Sequence, residues 1–204
     1  MIAPAPMPNA EKDQLRAEMR ARRIVVPLEA ARDAAERAAR ALLALPAIAV
    51  AGVVALYAAF RAELSTLPAA QALRARGLRL CYPRVSARSK LLTFHEVSDE
   101  ALLLPNRLGI PEPPEASPLV APSAIDVIVV PGLAFDPLGG RLGWGGAYYD
   151  HTLAAAQRAL RVGYAYELQI VPDVPMHGAD ARVDFLVTEM GARPTGARQP
   201  VSIP

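Results

Sequence analysis

The sequence predicts an α/β fold, a three-layer α/β/α domain with a mainly parallel central sheet, on three observations. Two runs, Ile48–Tyr57 and Ile125–Val130, are nearly continuous in apolar residues, as strands covered on both faces require. Shorter strand-like runs at Leu78–Tyr82, Leu91–Val97, Leu160–Tyr166 and Val183–Thr188 are separated in part by helical segments at Leu67–Arg76 and Tyr148–Leu160. Finally, 204 residues are enough for one sizeable core and leave little room for a second.

Met1 to Pro8 carries three prolines in an uncharged apolar run, which predicts a loose tail over residues 1–9. Ala10–Arg23 and Pro27–Leu45 are rich in Ala, Leu, Arg and Glu and predict two helices, with Pro27 suited to a first turn. Ala41–Phe60 holds no charge over twenty residues, about the length of a bilayer span. Pro46 and Gly52 interrupt it and much of it is alanine, so a helix end, a proline break and a buried strand are expected instead. Leu78–Val97 reads as two adjacent strands. Gly191–Pro204 is again rich in Pro and Gly, so a second tail is expected over 191–204, leaving residues 10–190 as a single domain.

Composition narrows the function. Twenty-two Lys plus Arg against twenty Asp plus Glu give a net charge of +2, too small for a general nucleic-acid or acidic-membrane binder. The arginines of the N-terminal helices are interleaved with acids, so no one-signed RNA-binding face is visible. Only Lys12 and Lys90 are lysines; the other cations are planar guanidinia, suited to phosphate and carboxylate. The 52% hydrophobic content is inflated by 40 alanines. Cys81 is the single cysteine, which excludes an internal disulfide or a thiolate metal cluster and fits a reducing, cytoplasmic location. His95, His151 and His177 have no metal-ligand spacing, and no Gly-x-Ser-x-Gly elbow is present, which argues against a zinc hydrolase or an acyl-enzyme.

The most informative stretch runs from Val130 to Asp150. A buried strand ends at Pro131, five glycines follow between Gly139 and Gly146, and a helix is predicted from about Ala147. Such a loop at the carboxyl end of a strand lets backbone N–H groups approach phosphate oxygens. Arg141 adds a guanidinium fork and Asp150 a hard oxygen ligand. The loop matches neither standard phosphate fingerprint, and composition alone leaves a Gly-rich surface turn as an equal reading. Lys12 and Arg16, four apart on a helix, share a face and can grip one anion, or can be solvated beside Glu11, Asp13 and Glu18. Glu63 follows a buried strand, where a carboxylate can accept hydrogen bonds from a ring N–H and an amino group. Asp180 and Asp184 flank the start of the last strand, each as a cap, a metal ligand or a residue of no particular role. Trp144 is placed to stack on a ring or to pack in the loop.

Taken together the chain resembles the 5-formyltetrahydrofolate cyclo-ligase family, also called 5,10-methenyltetrahydrofolate synthetase. The likeness rests on Lys12-x-x-x-Arg16, Glu63-x-x-Thr66, Pro83-Arg84, Leu108-Gly-Ile-Pro-Glu-Pro113, Pro131-Gly-Leu-x-Phe-Asp136, Arg141-Leu-Gly-x-Gly-x-x-Tyr-Tyr-Asp150, Gln169, Asp180, Val183-Asp184 and Thr188-Glu189, in family order. The resemblance implies a three-layer α/β fold. It also implies an ATP- and Mg²⁺-dependent ring closure of 5-formyltetrahydrofolate to 5,10-methenyltetrahydrofolate, with ADP and phosphate released and no protein nucleophile. Carried over by position, it places Lys12 and Arg16 on ATP phosphates and makes Arg141, Leu142, Gly143, Trp144, Gly145, Gly146, Ala147, Tyr148 and Tyr149 the nucleotide loop. Arg141 is the implied catalytic residue. Glu63, Arg16 and Tyr148 would hold the folate, and Asp150 and Asp180 the magnesium. A small-molecule substrate, no nucleic acid, no membrane and a monomer or weak dimer are expected. The chain departs from the family pattern at Leu108, where an aromatic often packs on the pterin, at Ala147, usually glycine, at Gly146, a lysine in some members, and at Ala179, where many have histidine. A noncatalytic nucleotide- or folate-binding relative of the same fold is the alternative.

Overall fold

The computed structural model describes residues 8–86, 91–178 and 180–197. Residues 1–7 and 198–204 of the expected tails, Lys90 and Ala179 lie outside the described residues. Two helices, α1 (Pro8–Ile24) and α2 (Leu28–Leu43), open the chain, followed by a short α3 (Pro46–Val50), β1 (Val53–Ala55) and α4 (Leu67–Ala75). Strands β2 (Arg79–Val85), β3 (Leu92–Glu96), β4 (Leu104–Pro105), β5 (Pro111–Glu112), β6 (Leu119–Val120) and β7 (Val127–Val130) come next. The remainder is β8 (Ala134–Phe135), β9 (Arg141–Leu142), α5 (Tyr148–Ala155), β10 (Leu160–Tyr164), β11 (Phe185–Thr188) and β12 (Gly191–Pro194).

Eight strands form one sheet in the order β12-β11-β10-β7-β1-β2-β3-β6. The five central strands, β11 to β2 in that order, run parallel, and β12, β3 and β6 are antiparallel additions at the edges. Side chains alternate across the sheet as a two-residue period demands. Val127 and Val129 of β7 face α2 and α4 together with Val54, Tyr82 and Val162, while Ile128 and Val130 face Leu153 and Ala156 at the other layer. The sheet is therefore covered on both faces, which is the three-layer arrangement expected. No helix among the described residues is long and apolar enough to cross a membrane.

Three sequence-based boundaries are corrected. The first half of Ile48–Tyr57 is helix α3, because Pro46 is preorganised for a first helical turn. The strand begins only where Asp126 Oδ2 accepts the N–H groups of Gly52 and Val53, at 2.8 and 2.9 Å. The helix predicted over Tyr148–Leu160 ends at Ala155, and Leu160 already pairs with Val127 in the sheet. The C-terminal stretch from Gly191, predicted to be a loose tail, is an edge strand to Pro194. Gly191 has φ +130°, a conformation that side chains resist, and the turn it makes returns the chain along β11.

Candidate active site

Because the central strands are parallel, the segments leaving β1, β7 and β10 all emerge at one edge of the sheet, where open α/β folds build their sites. The segment after β7 is stiffened by a short β8–β9 hairpin. Asp136, 2% exposed, accepts the N–H groups of Leu138 and Gly140 on Oδ1 and of Val174 on Oδ2, at 2.8, 2.9 and 3.1 Å. Gly140 is required there, since a Cβ would lie 2.1 Å from Asp136 Oδ2. Gln169, leaving β10, donates to the carbonyls of Gly132 and Leu133 and accepts from Tyr166 N, joining two of the three emerging segments. Helix α1 lies on this hairpin through Met19, buried with Leu133, Ala134 and Leu142, and so brings its Lys12 and Arg16 to the loop.

Arg141 is 6% exposed. Its Nη2 donates to Asp150 Oδ1 at 2.6 Å, its Nη1 to the Pro131 carbonyl at 3.4 Å, and its guanidinium lies 5.6 Å from the centre of the Tyr149 ring. Its buried Nε has no hydrogen-bond partner among the described residues. Lys12 Nζ contacts Asp180 Oδ2 at 2.6 Å. Burial alone would raise the Asp180 carboxyl, but hydrogen bonds from Lys12 and the His177 N–H outweigh it and hold it below the usual aspartate range. Arg16 Nε donates to the Gly143 carbonyl at 3.1 Å, and its Nη1 to Asp13 at 2.6 Å. Gly145, at φ +104°, sits where a Cβ would be 3.7 Å from the Arg16 guanidinium carbon. Arg16 thus touches the loop that carries Arg141, and Lys12 pairs with Asp180, next to the Ala181 whose N–H reaches Asp150.

Glu63 is built by the segment after β1. Thr66 Oγ1 donates to the Tyr57 carbonyl at 2.6 Å and Tyr57 donates to the Leu64 carbonyl at 2.6 Å, fixing the turn from both ends. Glu63 Oε2 accepts the Phe60 N–H at 3.0 Å, and Oε1 accepts the indole N–H of Trp144, also at 3.0 Å. Burial pushes the Glu63 carboxyl up, against these two hydrogen bonds and the charge of Arg23. The folate residue and the nucleotide loop implied by the resemblance are therefore in direct contact.

The remaining expected residues divide. Tyr149 faces Arg141, and the Tyr148 ring flanks Gly146. Leu142 is 2% exposed in the hairpin core, so only its backbone is available to a nucleotide. Ala147 precedes α5 at φ +56°, in the left-handed region that explains why glycine suits this position. Asp184 accepts from Arg161 N at 2.8 Å and secures the sheet rather than the loop. Leu108 is 63% exposed, and the adjacent Gly109 lies over the Phe60 ring. Sequence reasoning missed Arg23, which is 1% exposed and donates from Nη2 to the Arg61 carbonyl at 2.6 Å, with its guanidinium 5.3 Å from the Trp144 ring centre. In sequence Arg23 looks like any other arginine of a solvated helix.

Among the described residues no group of three or more His, Cys, Asp or Glu forms a ready metal cage. Magnesium takes hard oxygen donors, one or two carboxylates beside substrate phosphates, and carboxylate oxygens are the donors that Asp150 and Asp180 offer. Asp150 and the segment of Asp180 are brought together: the Ala181 N–H reaches Asp150 Oδ1 at 3.3 Å.

The model of the 5-formyltetrahydrofolate cyclo-ligase family matches residues 8–189. The chain is 36% identical over 137 residues to 5-formyltetrahydrofolate cyclo-ligase of Escherichia coli K12, covering 64% of this chain and 74% of that protein. The NMR structure of Aquifex aeolicus 5,10-methenyltetrahydrofolate synthetase superposes with a TM-score of 0.80 at 32% identity, over 95% of this chain and 96% of the other. The synthetase of Mycoplasma pneumoniae, at 20% identity and a TM-score of 0.72 over 88% of this chain and 99% of the other, shares the fold. With its parallel sheet, its hairpin-braced loop and the matched span from α1 to the end of β11, this chain belongs to the 5-formyltetrahydrofolate cyclo-ligase family.

Proposed function

We propose that this protein closes 5-formyltetrahydrofolate to 5,10-methenyltetrahydrofolate at the expense of ATP. The formyl oxygen attacks the γ-phosphorus and ADP departs, which leaves a phosphorylated imidate on N5. N10 then attacks the activated carbon and loses its proton, and phosphate leaves with the former formyl oxygen. No side chain needs to act as nucleophile, so the protein's task is positioning and charge neutralisation. Arg141 stabilises charge on the transferred phosphoryl group, Lys12 and Arg16 hold the neighbouring phosphates, and the 142–147 backbone lines the nucleotide. Asp150 and Asp180 would hold Mg²⁺, which supplies further neutralisation of the phosphates. Asp150 and Asp180 are also the ion-pair partners of Arg141 and Lys12, so the carboxylates that would hold the metal are those that orient the two cations.

The observation that carries this reading is the hydrogen bond between Trp144 and Glu63, which joins the loop assigned to the nucleotide to the carboxylate assigned to the folate. The test is spectrophotometric: the methenyl chromophore should form from the 5-formyl compound only when ATP and Mg²⁺ are both present. Full turnover without nucleotide, or a trapped phosphoryl-enzyme, would contradict it.

A further inference from the structure

Glu112, in β5, is a buried carboxylate with no part in the reaction as drawn. It is 5% exposed, and its Oε1 accepts the Val85 N–H at 3.1 Å and Asn106 Nδ2 at 2.8 Å. Arg84 Nη1 lies 4.0 Å from its Oε2 and donates to the Pro113 carbonyl at 2.9 Å. A carboxylate is kept at such burial only where donors and charge offset its desolvation, and here they come from β2 and from the turn that joins β4 to β5. Strand β2 runs parallel to β1, so Val85, its last residue, lies at the edge of the sheet where the site is built.

The turn itself is closed by Asn106. Its Oδ1 accepts the N–H groups of Leu108 and Ile110 at 2.8 and 3.1 Å, its own N–H donates to the Ile110 carbonyl at 2.8 Å, and its carbonyl accepts the Gly109 N–H at 2.9 Å. Pro105 and Pro111, opposite one another in β4 and β5, stiffen the entry and the exit. The 106–110 turn is thus braced from within, and the Asn106–Glu112 bond ties it to the end of β2. Its tip reaches the segment after β1. Gly109, at φ +80°, sits where a Cβ would be 3.6 Å from the Phe60 ring, and the Phe60 N–H is the donor that Glu63 Oε2 accepts at 3.0 Å. Leu108 beside it is left 63% exposed, an apolar side chain held out of the core.

We propose that Glu112 and Asn106 are a positioning pair for the folate: they hold the 106–110 turn against Phe60 and so fix one wall of the folate pocket beside Glu63. In this role neither residue touches the substrate. The inference rests on the reading of Glu63 as the folate-ring residue. Lys12 and Arg16 are carried by α1 and Arg141 by the β8–β9 hairpin, so the pair governs one ligand and leaves the other alone.

The test exchanges donor and acceptor. Asn106→Asp sets two carboxylates against each other while still accepting from Leu108 and Ile110, and Glu112→Ala removes the acceptor. Asn106→Asp combined with Glu112→Gln restores the bond with its polarity reversed. Titration calorimetry with 5-formyltetrahydrofolate and, separately, with ATP is run on the full chain below the melting temperature of every variant. Each single variant should weaken 5-formyltetrahydrofolate about tenfold, the worth of one charge-assisted hydrogen bond, with ATP affinity within about twofold of the parent. The double variant should return the folate to within about threefold of the parent, a non-additivity that arises only if the two residues act through each other. If Glu112→Ala does not fold, Asn106→Asp and the double variant carry the test alone. Equal losses for both ligands would overturn the proposal, as would unchanged folate affinity in the single variants or a double variant as weak as Asn106→Asp. Glu63→Gln separates the two readings. If it leaves 5-formyltetrahydrofolate affinity intact while the single variants lose it, the Glu63 assignment fails and the turn stands as a wall of the folate site.

Discussion

Arg141 carries a fixed charge in a nearly closed setting, with Asp150 on one side, the Tyr149 ring on another and an Nε that has no hydrogen-bond partner among the described residues. A guanidinium so held cannot reorganise, which is the condition under which it acts on charge developing in a transition state. Arg141→Ala should lower kcat by about a hundredfold or more, the effect of about 3 kcal/mol. Arg141→Lys should restore part of the rate, since it keeps the charge and loses the fork. Steady-state kinetics with thermal melts of each variant would check this, and an active, folded Arg141→Ala would remove the residue from the reaction. Glu63 offers a second readout at this scale because Trp144, its hydrogen-bond donor, is the sole tryptophan. Burial raises the Glu63 carboxyl above the ordinary 4.5. A folded-state value above the unfolded one means that the folded protein holds this proton more tightly. Its contribution to stability is therefore greatest below the unfolded value and is lost as pH rises through the folded one. The indole emission of the parent should titrate above 4.5, and Glu63→Gln should abolish that step.

At the scale of elements, the parallel strands, both long helices and the Gly-rich loop were legible because each is written as local periodicity or local composition. The boundaries that moved were decided partly by partners distant in sequence and partly by local turns whose outcome composition does not show. Val53 starts a strand because Asp126, 73 residues away, takes its N–H, whereas Gly191 begins one by folding the chain back on the adjacent β11, a hairpin that its Pro- and Gly-rich composition disguised. The loop between β9 and α5 shows the converse. Ala147, a departure from the family pattern in sequence, is strained at φ +56° where the loop turns into the helix. Ala147→Gly should stabilise the protein by about 0.5–1 kcal/mol, the relief of the left-handed conformation exceeding the entropy that glycine adds to the unfolded chain. Urea denaturation with an unchanged m-value would check it, and a destabilised variant would mean that the methyl group packs against something the loop needs.

At the scale of the molecule, the pairs that make the site are far apart in the chain: Lys12 and Asp180 are 168 residues apart, Glu63 and Trp144 are 81. Resemblance to a family could nominate these residues, but only the parallel topology, which gathers the ends of β1, β7 and β10 at one edge, brings them into contact. The ion pairing of Lys12 with Asp180 depends on that assembly and has no signature in spacing, whereas Arg141 and Asp150 pair within one loop, 9 residues apart. The C-terminal segment belongs to the same assembly. Beyond the pairing of β12 with β11, Thr195 Oγ1 donates to the Val183 carbonyl at 2.6 Å, and Arg193 makes two bonds to Glu167, at 2.9 and 3.1 Å. Gly139, at the tip of the β8–β9 hairpin, lies where a Cβ would meet Val183 O, Thr195 and Ala197, so the far end of the hairpin rests on this segment. Ending the chain after Met190 should therefore do two things. It should cost a few kcal/mol, at about 1 kcal/mol for each hydrogen bond lost, and leave the apolar edge Phe185-Leu-Val-Thr188 open to pairing with other copies. It should also loosen the hairpin that carries Arg141, so that kcat falls along with stability. A chain ended after Ala197 keeps every contact named here and should match the parent in both. Thermal melts, light scattering and turnover on the two truncations would test this together, and a Met190 truncation as stable and active as the parent would return residues 191–197 to the role of a tail.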